Sequence, residues 1–284
     1  MEMELSLSIA SFPIDAETAG EMEQLIDGEP EHCRMLLQNE LWKKPFAKGF
    51  AVLAYTDSGD LVAYAAAADL VGLHHYEWSA FVSPDYRRLG LATALADGVQ
   101  HSLKQRGAES ELAAFTEHIA SDSWLESLGY GRSFQELQFE AQPLSAYQLA
   151  ETIDIQPYQK KDLEELVNLL RAAFDESVLP VLEHNLEDPE RHIYLMRQED
   201  KLVATATLSS EDGALWLTSL AVSPDSQRSG HGQAFLKWAR QLAHQKNLSR
   251  VLVEVDTDNM AWPVYEKAGF IRVLTISYWQ RIVQ

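Results

Sequence analysis

The sequence predicts an α/β (α+β) protein built from two tandem domains. Two observations support this prediction. The chain has 284 residues, and domains commonly hold about 100–200 residues. In addition, the segment Phe81–Asp85 (Phe-Val-Ser-Pro-Asp) recurs as Ala221–Asp225 (Ala-Val-Ser-Pro-Asp), so that Val222 follows Val82 by 140 positions. A repeat at one fixed offset is typical of a duplicated domain.

Residues further along the chain keep the same offset, which makes chance identity a poor explanation of the repeat. The matching pairs are Arg88 with Arg228, Gly90 with Gly230, Gly107 with Asn247, and Gly129-Tyr130 with Gly269-Phe270. Little net insertion has therefore occurred between the copies. We place the boundary near Gln142–Glu151, which predicts a first domain over residues 1–146 and a second over residues 150–284.

Each copy alternates strand patterns and helix patterns in the same order. Turn residues between β-rich runs predict hairpins, as at Asp57-Ser58-Gly59-Asp60. A third strand, a polar loop with glycines and an amphipathic helix follow; in the second copy this helix covers about Gly232–Gln245. A valine-rich strand, a short helix and a Gly-aromatic turn end the copy. The sequence thus predicts, in each domain, a mixed and mostly antiparallel sheet flanked by helices.

Composition excludes several classes of protein. The single cysteine, Cys33, cannot form a disulfide within the chain or a cysteine-based zinc site, and we expect no metal. The net charge of −20 should repel nucleic acid and anionic membranes. A cationic substrate would suit this charge, although solubility explains it as well. Without a positively charged start or a long apolar run, we expect a soluble, cytoplasmic protein with no membrane partner. The oligomeric state stays open.

The loop Gln227–Gly232 lies between a predicted strand and a predicted helix, where a phosphate can bind. The first backbone N–H groups of a helix lack internal partners, and the helix dipole favours an anion there. Glycine lets the backbone approach the ligand, and Arg228 could add a charged contact. The loop matches neither the P-loop nor the G-x-G-x-x-G pattern, which excludes those nucleotide-binding classes.

These residues resemble the coenzyme A signature of the GNAT superfamily, the Gcn5-related N-acetyltransferases. That signature is [QR]-x-x-G-x-[GA] after a strand ending in Val-x-Pro. The second copy matches it through Val222-Ser223-Pro224 and Gln227–Gly232, and the first through Val82-Ser83-Pro84 and Arg87–Ala92. The resemblance covers nearly the whole chain and implies a tandem, two-domain form, architecturally similar to the mycothiol synthases. It also implies acetyl-CoA as co-substrate.

The resemblance implies which residues contact coenzyme A. In the second copy they are Leu220, Ala221, Val222, Gln227, Arg228, Ser229, Gly230, His231, Gly232 and Asn259. In the first copy they are Phe81, Val82, Arg87, Arg88, Gly90 and Ala92. His231 belongs to this set only by its place in the loop; the family does not use that position, so we treat it as a bystander. The family also often has Asn where Asp258 stands here. Either Asn259 makes that contact through a shifted turn, or the contact is lost.

Acetyl transfer to an amine requires a base, stabilisation of an oxyanion and a proton for the departing thiolate. The resemblance implies that Tyr265, four residues before Gly269-Phe270, supplies the proton and that N–H groups near Leu220–Val222 serve the oxyanion. Glu254 and Asp256 alternate along one strand and share a face, so either could be the base. A solvated strand face or a helix-capping Asp is an equally good interpretation of these carboxylates.

The first copy lacks these groups. At the repeat offset Tyr265 becomes Leu125, Glu254 becomes Ala114 and Asp256 becomes Thr116. We therefore expect a degenerate first domain and a catalytic second domain that acetylates a primary amine of a small molecule or peptide. The alternative is an acyl-CoA-binding regulatory pseudoenzyme, since intact loops fit both hypotheses.

Overall fold

The computed structural model describes residues 5–27, 42–45, 47–69, 72–117, 119–211, 213–257 and 262–282. The chain divides into two compact units, residues 1–135 with 275–284 and residues 136–274. Across the described ranges, no helix combines the length and apolar character that crossing a membrane requires. Nor do the described residues group three or more His, Cys, Asp or Glu side chains as a metal site would.

Strands and helices alternate along the described chain. The strands are β1 (Leu5–Ser11), β2 (Lys48–Thr56), β3 (Leu61–Asp69), β4 (His75–Val82), β5 (Ser110–Thr116), β6 (Tyr130–Ala141), β7 (Ile153–Pro157), β8 (His192–Gln198), β9 (Lys201–Glu211), β10 (Ala214–Val222), β11 (Arg250–Asp256) and β12 (Ile271–Arg281). The α-helices are α1 (Ala16–Ile26), α2 (Leu91–Gln105), α3 (Ile119–Ser127), α4 (Leu163–Ala173), α5 (Leu179–Glu187), α6 (His231–Gln245) and α7 (Pro263–Lys267).

The sheet of the first unit has the order β1-β2-β3-β4-β5, followed by the outer part of β12. Its pairs are antiparallel except β4–β5. Strand β3 is buried almost throughout, because helices cover both of its faces. Ala63, Ala65 and Ala67 pack toward α2, and Tyr64 and Ala66 pack toward α1.

The second unit repeats this plan in the order β7-β8-β9-β10-β11, followed by the outer part of β6. Here β10–β11 is the parallel pair. On one face Phe235 and Leu236 of α6 pack on the valines of β11. On the other face Leu166 of α4 and Leu182 of α5 pack on Ile193 of β8. Both faces are therefore covered, as the amphipathic helix patterns predict.

Each repeat places its last strand in the unit of the other repeat. From Glu136 onward, β6 pairs antiparallel with β11, with Glu136 opposite Asp256. From Thr275 onward, β12 pairs antiparallel with β5, with Ile276 opposite Thr116. The sequence predicts two consecutive domains, 1–146 and 150–284. The compact units differ from these boundaries because backbone hydrogen bonding assigns the outer halves of β6 and β12 to the opposite repeats.

This exchange predicts that a substitution in one repeat destabilises the unit formed mainly by the other. Trp279 of β12 is buried in the core of the first unit, with the Arg132 guanidinium 5.1 Å from its ring. Trp279→Ala should cost about 3–5 kcal/mol of unfolding free energy. Hydrogen exchange followed by mass spectrometry should speed up in β4 and β5 and stay slow in β9 and β10.

Phe139→Ala on β6 is the reciprocal control, because Phe139 is buried in the core of the second unit. It should accelerate exchange in β10 and β11 and leave β4 and β5 protected. If each substitution loosened only the strands of its own repeat, the exchanged pairing would be wrong.

Candidate active site

Strands β10 and β11 separate in the middle of the second unit's sheet. Their parallel ladder ends at the pair Leu217 and Val253, although β10 continues to Val222 and β11 to Asp256. Beyond that pair, β10 stays with β9 and β11 stays with β6. The sheet therefore opens between two parallel strands, the kind of place at which α/β proteins bind ligands.

A β-bulge on β10 lies at this opening. The register with β9 shifts between Thr218 and Ala221, so Ser219 and Leu220 together face one residue of β9. Ser219 has a left-handed φ of 52°, the conformation found at the first residue of one class of bulge. A bulge takes backbone groups out of the ladder, so N–H groups near Leu220–Val222 can serve a ligand. These are the residues to which the sequence assigns the oxyanion contact.

The loop after β10 presents the unpaired start of α6. Gly230 is the N-cap residue, with φ at 85°, and Arg228 is also left-handed, with φ at 62°. The first helical hydrogen bond runs from the Ala234 N–H to the Gly230 carbonyl, at 2.9 Å. The N–H groups of residues 231–233 precede it and point out of the helix start. With no N-cap side chain to satisfy them, they suit a phosphate.

Two side chains of this loop, Gln227 and His231, form hydrogen bonds within the protein. The Gln227 amide donates to the Val222 carbonyl at 3.4 Å. His231 is buried, with one ring nitrogen 3.0 Å from the Ser226 carbonyl and the other 3.0 Å from Gln198 Oε1. His231 therefore links the loop to β8, a role that its sequence context did not indicate.

Tyr265 lies on α7, on the same face of the sheet as α6. It is 7% exposed, and its ring stacks on Phe139 with centroids 5.6 Å apart. Burial raises the pKa of the Tyr265 hydroxyl to about 12, so it stays protonated at neutral pH. The helix ends at Lys267, and Gly269, two residues later, has a φ of 85°. Arg240 of α6 donates to the Ala268 carbonyl at 2.6 Å and so holds the end of α7 against α6.

Glu254 lies on the opposite face of β11, because its neighbours Val253 and Val255 belong to the α6 core. Its Oε1 accepts a hydrogen bond from the Gln138 amide at 3.0 Å. Burial, and secondarily the nearby Glu136 carboxylate, raises the Glu254 pKa to about 7. Solvent reaches the side chain from the open side of the strand, while surrounding protein still withholds hydration from the carboxylate.

The other candidate base, Asp256, is half-buried and alternates with Glu254, so it shares that face. It is the Cα partner of Glu136, which places three carboxylates along adjacent strands. Asn259 lies outside the described residues, as does Cys33. The structure thus brings Glu254 and Asp256 to one face of β11 and Tyr265 to the other.

A cavity of about 10 Å³ lies near the bulge on the face of α4 and α5. Its polar lining consists of Asn185, Thr205, Thr207 and Ser219, and Asn185 donates to Thr207 at 3.2 Å. Such a volume holds about one water molecule. Sequence reasoning missed Asn185, because the segment 174–191 carries no recognisable motif.

The first unit keeps the loop geometry of the second. Arg88 has a φ of 66° and Gly90 a φ of 84°, close to the values at Arg228 and Gly230. The Arg87 guanidinium donates to the Val82 carbonyl at 2.9 Å, as Gln227 does to Val222. The start of α2 is therefore as exposed to an anion as the start of α6.

The strands of the first unit differ at the opening. Strand β4 pairs with β3 in one continuous register from Tyr76 to Val82, without a bulge. Aromatic rings meet where β4 and β5 part: Trp78 lies 5.6 Å from Phe115, and Phe115 lies 5.7 Å from Trp124, both edge-on. Valines stand at the positions of Phe115 and Trp124 in the second repeat. The opening in the first unit is accordingly lined by larger side chains, and β4 offers no bulge to bind an oxyanion.

The family model for the acetyltransferase (GNAT) family matches the chain twice, over residues 17–130 and 155–270. The chain therefore belongs to the GNAT acetyltransferase family, as a tandem member with two GNAT domains. Acetyl-CoA-dependent acyl transfer is general for that family, so the protein is a GNAT-type acetyltransferase. Among curated proteins none matches the chain.

Solved structures share the fold at low sequence identity. A GCN5-related N-acetyltransferase from Sphaerobacter thermophilus has a TM-score of 0.72 and 19% identity, covering 96% of this chain and 95% of its own. A tandem GNAT protein from the clavulanic acid biosynthesis pathway has a TM-score of 0.71 and 14% identity, with 98% and 100% covered. A glucosamine N-acetyltransferase region of a fungal multi-domain β-N-acetylglucosaminidase has a TM-score of 0.70 and 14% identity; the match spans 98% of this chain and 38% of that one.

The equal conformations of Gly230 and Gly90 provide a matched pair of substitutions. A Cβ at either residue meets no atom within 4 Å, so the cost of Gly→Val comes from the left-handed φ. The loss of unfolding free energy should therefore be similar in the two variants, about 1–2 kcal/mol. We expect Gly230→Val to abolish the binding of acetyl-CoA in calorimetry, because it displaces the N–H groups of α6. Gly90→Val should leave this binding event intact. Equal loss in the two variants would contradict the assignment of the site to the second unit.

Proposed function

We propose that the second unit transfers an acetyl group from acetyl-CoA to a primary amine of a small molecule or peptide. The observation that carries this proposal is the β10 bulge at the opening beside β11. Ionisable groups flank it on both faces of the sheet, with Glu254 on one face and Tyr265 on the other. This arrangement suits a reaction in which one group takes a proton from the acceptor and a different group gives a proton to the leaving thiolate.

Glu254 is the proposed base. A carboxyl group with a pKa of about 7 is partly ionised at neutral pH and is basic enough to accept a proton, which is the condition for efficient general base catalysis. It would take the proton of the acceptor's ammonium group directly or through water. Asp256 and Glu136 add negative potential on the same face and favour a cationic acceptor over an anionic one.

The backbone of the bulge would stabilise the negative charge that develops on the thioester carbonyl oxygen. Donors fixed in a folded backbone need no reorganisation during the reaction, and one such donor is typically worth about 10²–10³ in rate. The loop from Gln227 to Gly232 would hold the pyrophosphate of coenzyme A through the N–H groups at the start of α6. Arg228 and Ser229 lie in this loop, and Ala221 and Val222 lead into it.

Tyr265 would donate a hydrogen bond to the departing thiolate and give it a proton as the thiol forms, and solvent would return a proton to the phenol. An alkyl thiol has a pKa near 8.5, while burial raises that of Tyr265 to about 12. Complete proton transfer in the ground state is therefore uphill. The phenol helps most when negative charge first develops on sulfur, and its high pKa keeps it protonated throughout the physiological range.

We propose that the first unit does not catalyse. The conserved loop geometry at Arg87, Arg88 and Gly90 would still allow weak coenzyme A binding beside Phe81, Val82 and Ala92. This feature favours the second candidate, a regulatory acyl-CoA-binding role, for the first unit only. The continuous β4 register and the rings at the opening argue against turnover there.

The reaction itself can be tested by a turnover screen with acetyl-CoA. The panel should contain small amines, peptides and amino sugars, among them glucosamine, because the fungal relative is described as a glucosamine N-acetyltransferase. We expect turnover with cationic acceptors and none with carboxylate-rich ones, since Glu136, Glu254 and Asp256 face the acceptor side. Release of coenzyme A would be measured, with Gly230→Val as the negative control.

Tyr265→Phe keeps the ring that stacks on Phe139 and removes only the hydroxyl. We expect kcat and kcat/KM to fall together by about 10²–10⁴-fold, with little change in acetyl-CoA affinity. The loss should shrink for a thioester whose thiol is more acidic, because that thiolate needs the proton less.

Tyr194→Phe is the matched control, since Tyr194 is a half-buried tyrosine of the second unit that packs edge-on against Trp238 and lies outside the proposed site. It should keep near-normal turnover. A Tyr265→Phe enzyme with unchanged kcat, measured where chemistry limits the rate, would make Tyr265 a packing residue.

Activity should also depend on the ionisation of Glu254. Because the base acts as the carboxylate, kcat/KM should fall as the pH drops below about 7. Glu254→Gln should lower the rate at pH 8 by about 10²-fold or more and remove this acidic limb. A limb unchanged in the variant would assign the base to another group, with Asp256 the next to test.

The raised pKa of Glu254 also predicts how the Glu254→Gln substitution changes the free energy of unfolding. Folding raises the Glu254 pKa from 4.5 to about 7, so the folded state binds more protons than the unfolded chain between these values. The contribution of Glu254 to stability is therefore largest at low pH and is lost as the pH rises through this window. Urea unfolding at pH 8 should show Glu254→Gln to be more stable than the parent.

A further inference from the structure

The final strand of the first repeat supplies the surroundings of the proposed base. Strand β6 runs beside β11 with Gln138 as the Cα partner of Glu254 and Glu136 as that of Asp256. Gln138 is buried, at 9% exposure, and its Nε2 lies 3.0 Å from Glu254 Oε1. A buried amide that donates to a carboxylate fixes the orientation of that carboxylate and favours its ionised form.

One charged group near Glu254, the carboxylate of Glu136, opposes the effect of Gln138 on the Glu254 pKa. From β6, Glu136 is a like charge that raises the Glu254 pKa. From β11 itself, Asp256 follows two residues later on the same face. From β10, the residue that follows the last ladder pair on this face is the uncharged Thr218. The carboxylate of Glu140, further along β6, is engaged by Arg250 at 3.3 Å.

The first unit lacks both members of the Gln138–Glu254 pair. Ala114 stands at the repeat position of Glu254, and its partner on β12 is Tyr278, at the position of Gln138. Tyr278 stacks on Phe134 with ring centroids 4.4 Å apart. Where the acid is missing, the amide is missing as well. This joint change is what a dedicated pair would show, whereas a general sheet contact would not require it.

We infer that Gln138 is the positioning residue of Glu254, so that the last strand of the first repeat completes the catalytic site of the second. This inference rests on the proposed function for the role of Glu254. The hydrogen bond and its effect on the ionisation of Glu254 can, however, be measured without any acceptor amine.

The experiment uses the full chain labelled with glutamate carrying ¹³C at its carboxyl carbon. The resonance that disappears in Glu254→Gln identifies Glu254, and its chemical shift is followed against pH. Gln138→Leu removes the donor and should raise the titration midpoint of Glu254 by about one pH unit. Glu136→Gln removes the like charge and should lower it. Glu140→Gln, a matched change on the same strand, should move the midpoint less than either.

Turnover measured on the same variants separates the two proposals. If Glu254 is the base, the acidic limb of kcat/KM should shift with the carbon titration, upward for Gln138→Leu and downward for Glu136→Gln. If the carbon titration shifts and the limb does not, the proposed base fails while the positioning of Glu254 by Gln138 stands. An unmoved Glu254 midpoint in a folded Gln138→Leu protein overturns the inference, whatever the activity.

Discussion

Antiparallel backbone pairing of each repeat's last strand with the penultimate strand of the other repeat is the constraint on which this structure depends. Strand β6 crosses into the second unit after Gln135, and β12 returns to the first unit at Thr275. Each unit thereby gains a sheet neighbour that covers what would otherwise be an open edge at β5 or β11. The exchanged strands also place side chains in the opposite unit. Trp279 of β12 lies in the core of the first unit, and the ring of Phe139 on β6 stacks against Tyr265 in the second. Each repeat therefore contributes a strand to the unit formed mainly by the other, and the proposed active site draws on both.

The opening between β4 and β5 differs from that between β10 and β11 mainly by one inserted residue, and much less by the phosphate loops. The loops have nearly identical backbone angles, and in both a side chain at the loop start bonds the last carbonyl of the strand. Strand β10, however, has one residue more than β4, and this residue forms the bulge at Ser219 and Leu220. A bulge frees backbone groups that a continuous ladder consumes. Binding and catalysis can thus be lost separately, since the anion site depends on the helix start and the oxyanion site on the strand.

The sheet itself organises the proposed acid–base chemistry. Alternation along β11 sends Val253 and Val255 into the core beneath α6 and Glu254 to the opposite face. Burial raises the pKa of both Glu254 and Tyr265, but with different consequences. It brings the pKa of the Glu254 carboxyl group close to neutral pH, so that the carboxylate can accept a proton, and it keeps the Tyr265 phenol protonated. The same physical effect therefore prepares a base on one face and a proton donor on the other.

The sequence by itself determined the duplication, the order of strands and helices within each copy, and the family. These features are local: the turn residues, the helix period and the Gln227–Gly232 motif act over a few neighbouring residues, and the repeat offset shows them twice. The same offset also shows that the first repeat has Leu125 at the position of Tyr265 and Ala114 at the position of Glu254. Only the tertiary structure decided where β6 and β12 pair, because a strand's pattern indicates which face is buried and not which strand lies beside it. For the same reason the hydrogen bond from Gln138 to Glu254 could not be read from the chain, since 116 positions separate the two residues. The bulge at Ser219 was likewise hidden, because it is defined by the register with β9, which exists only in the folded sheet.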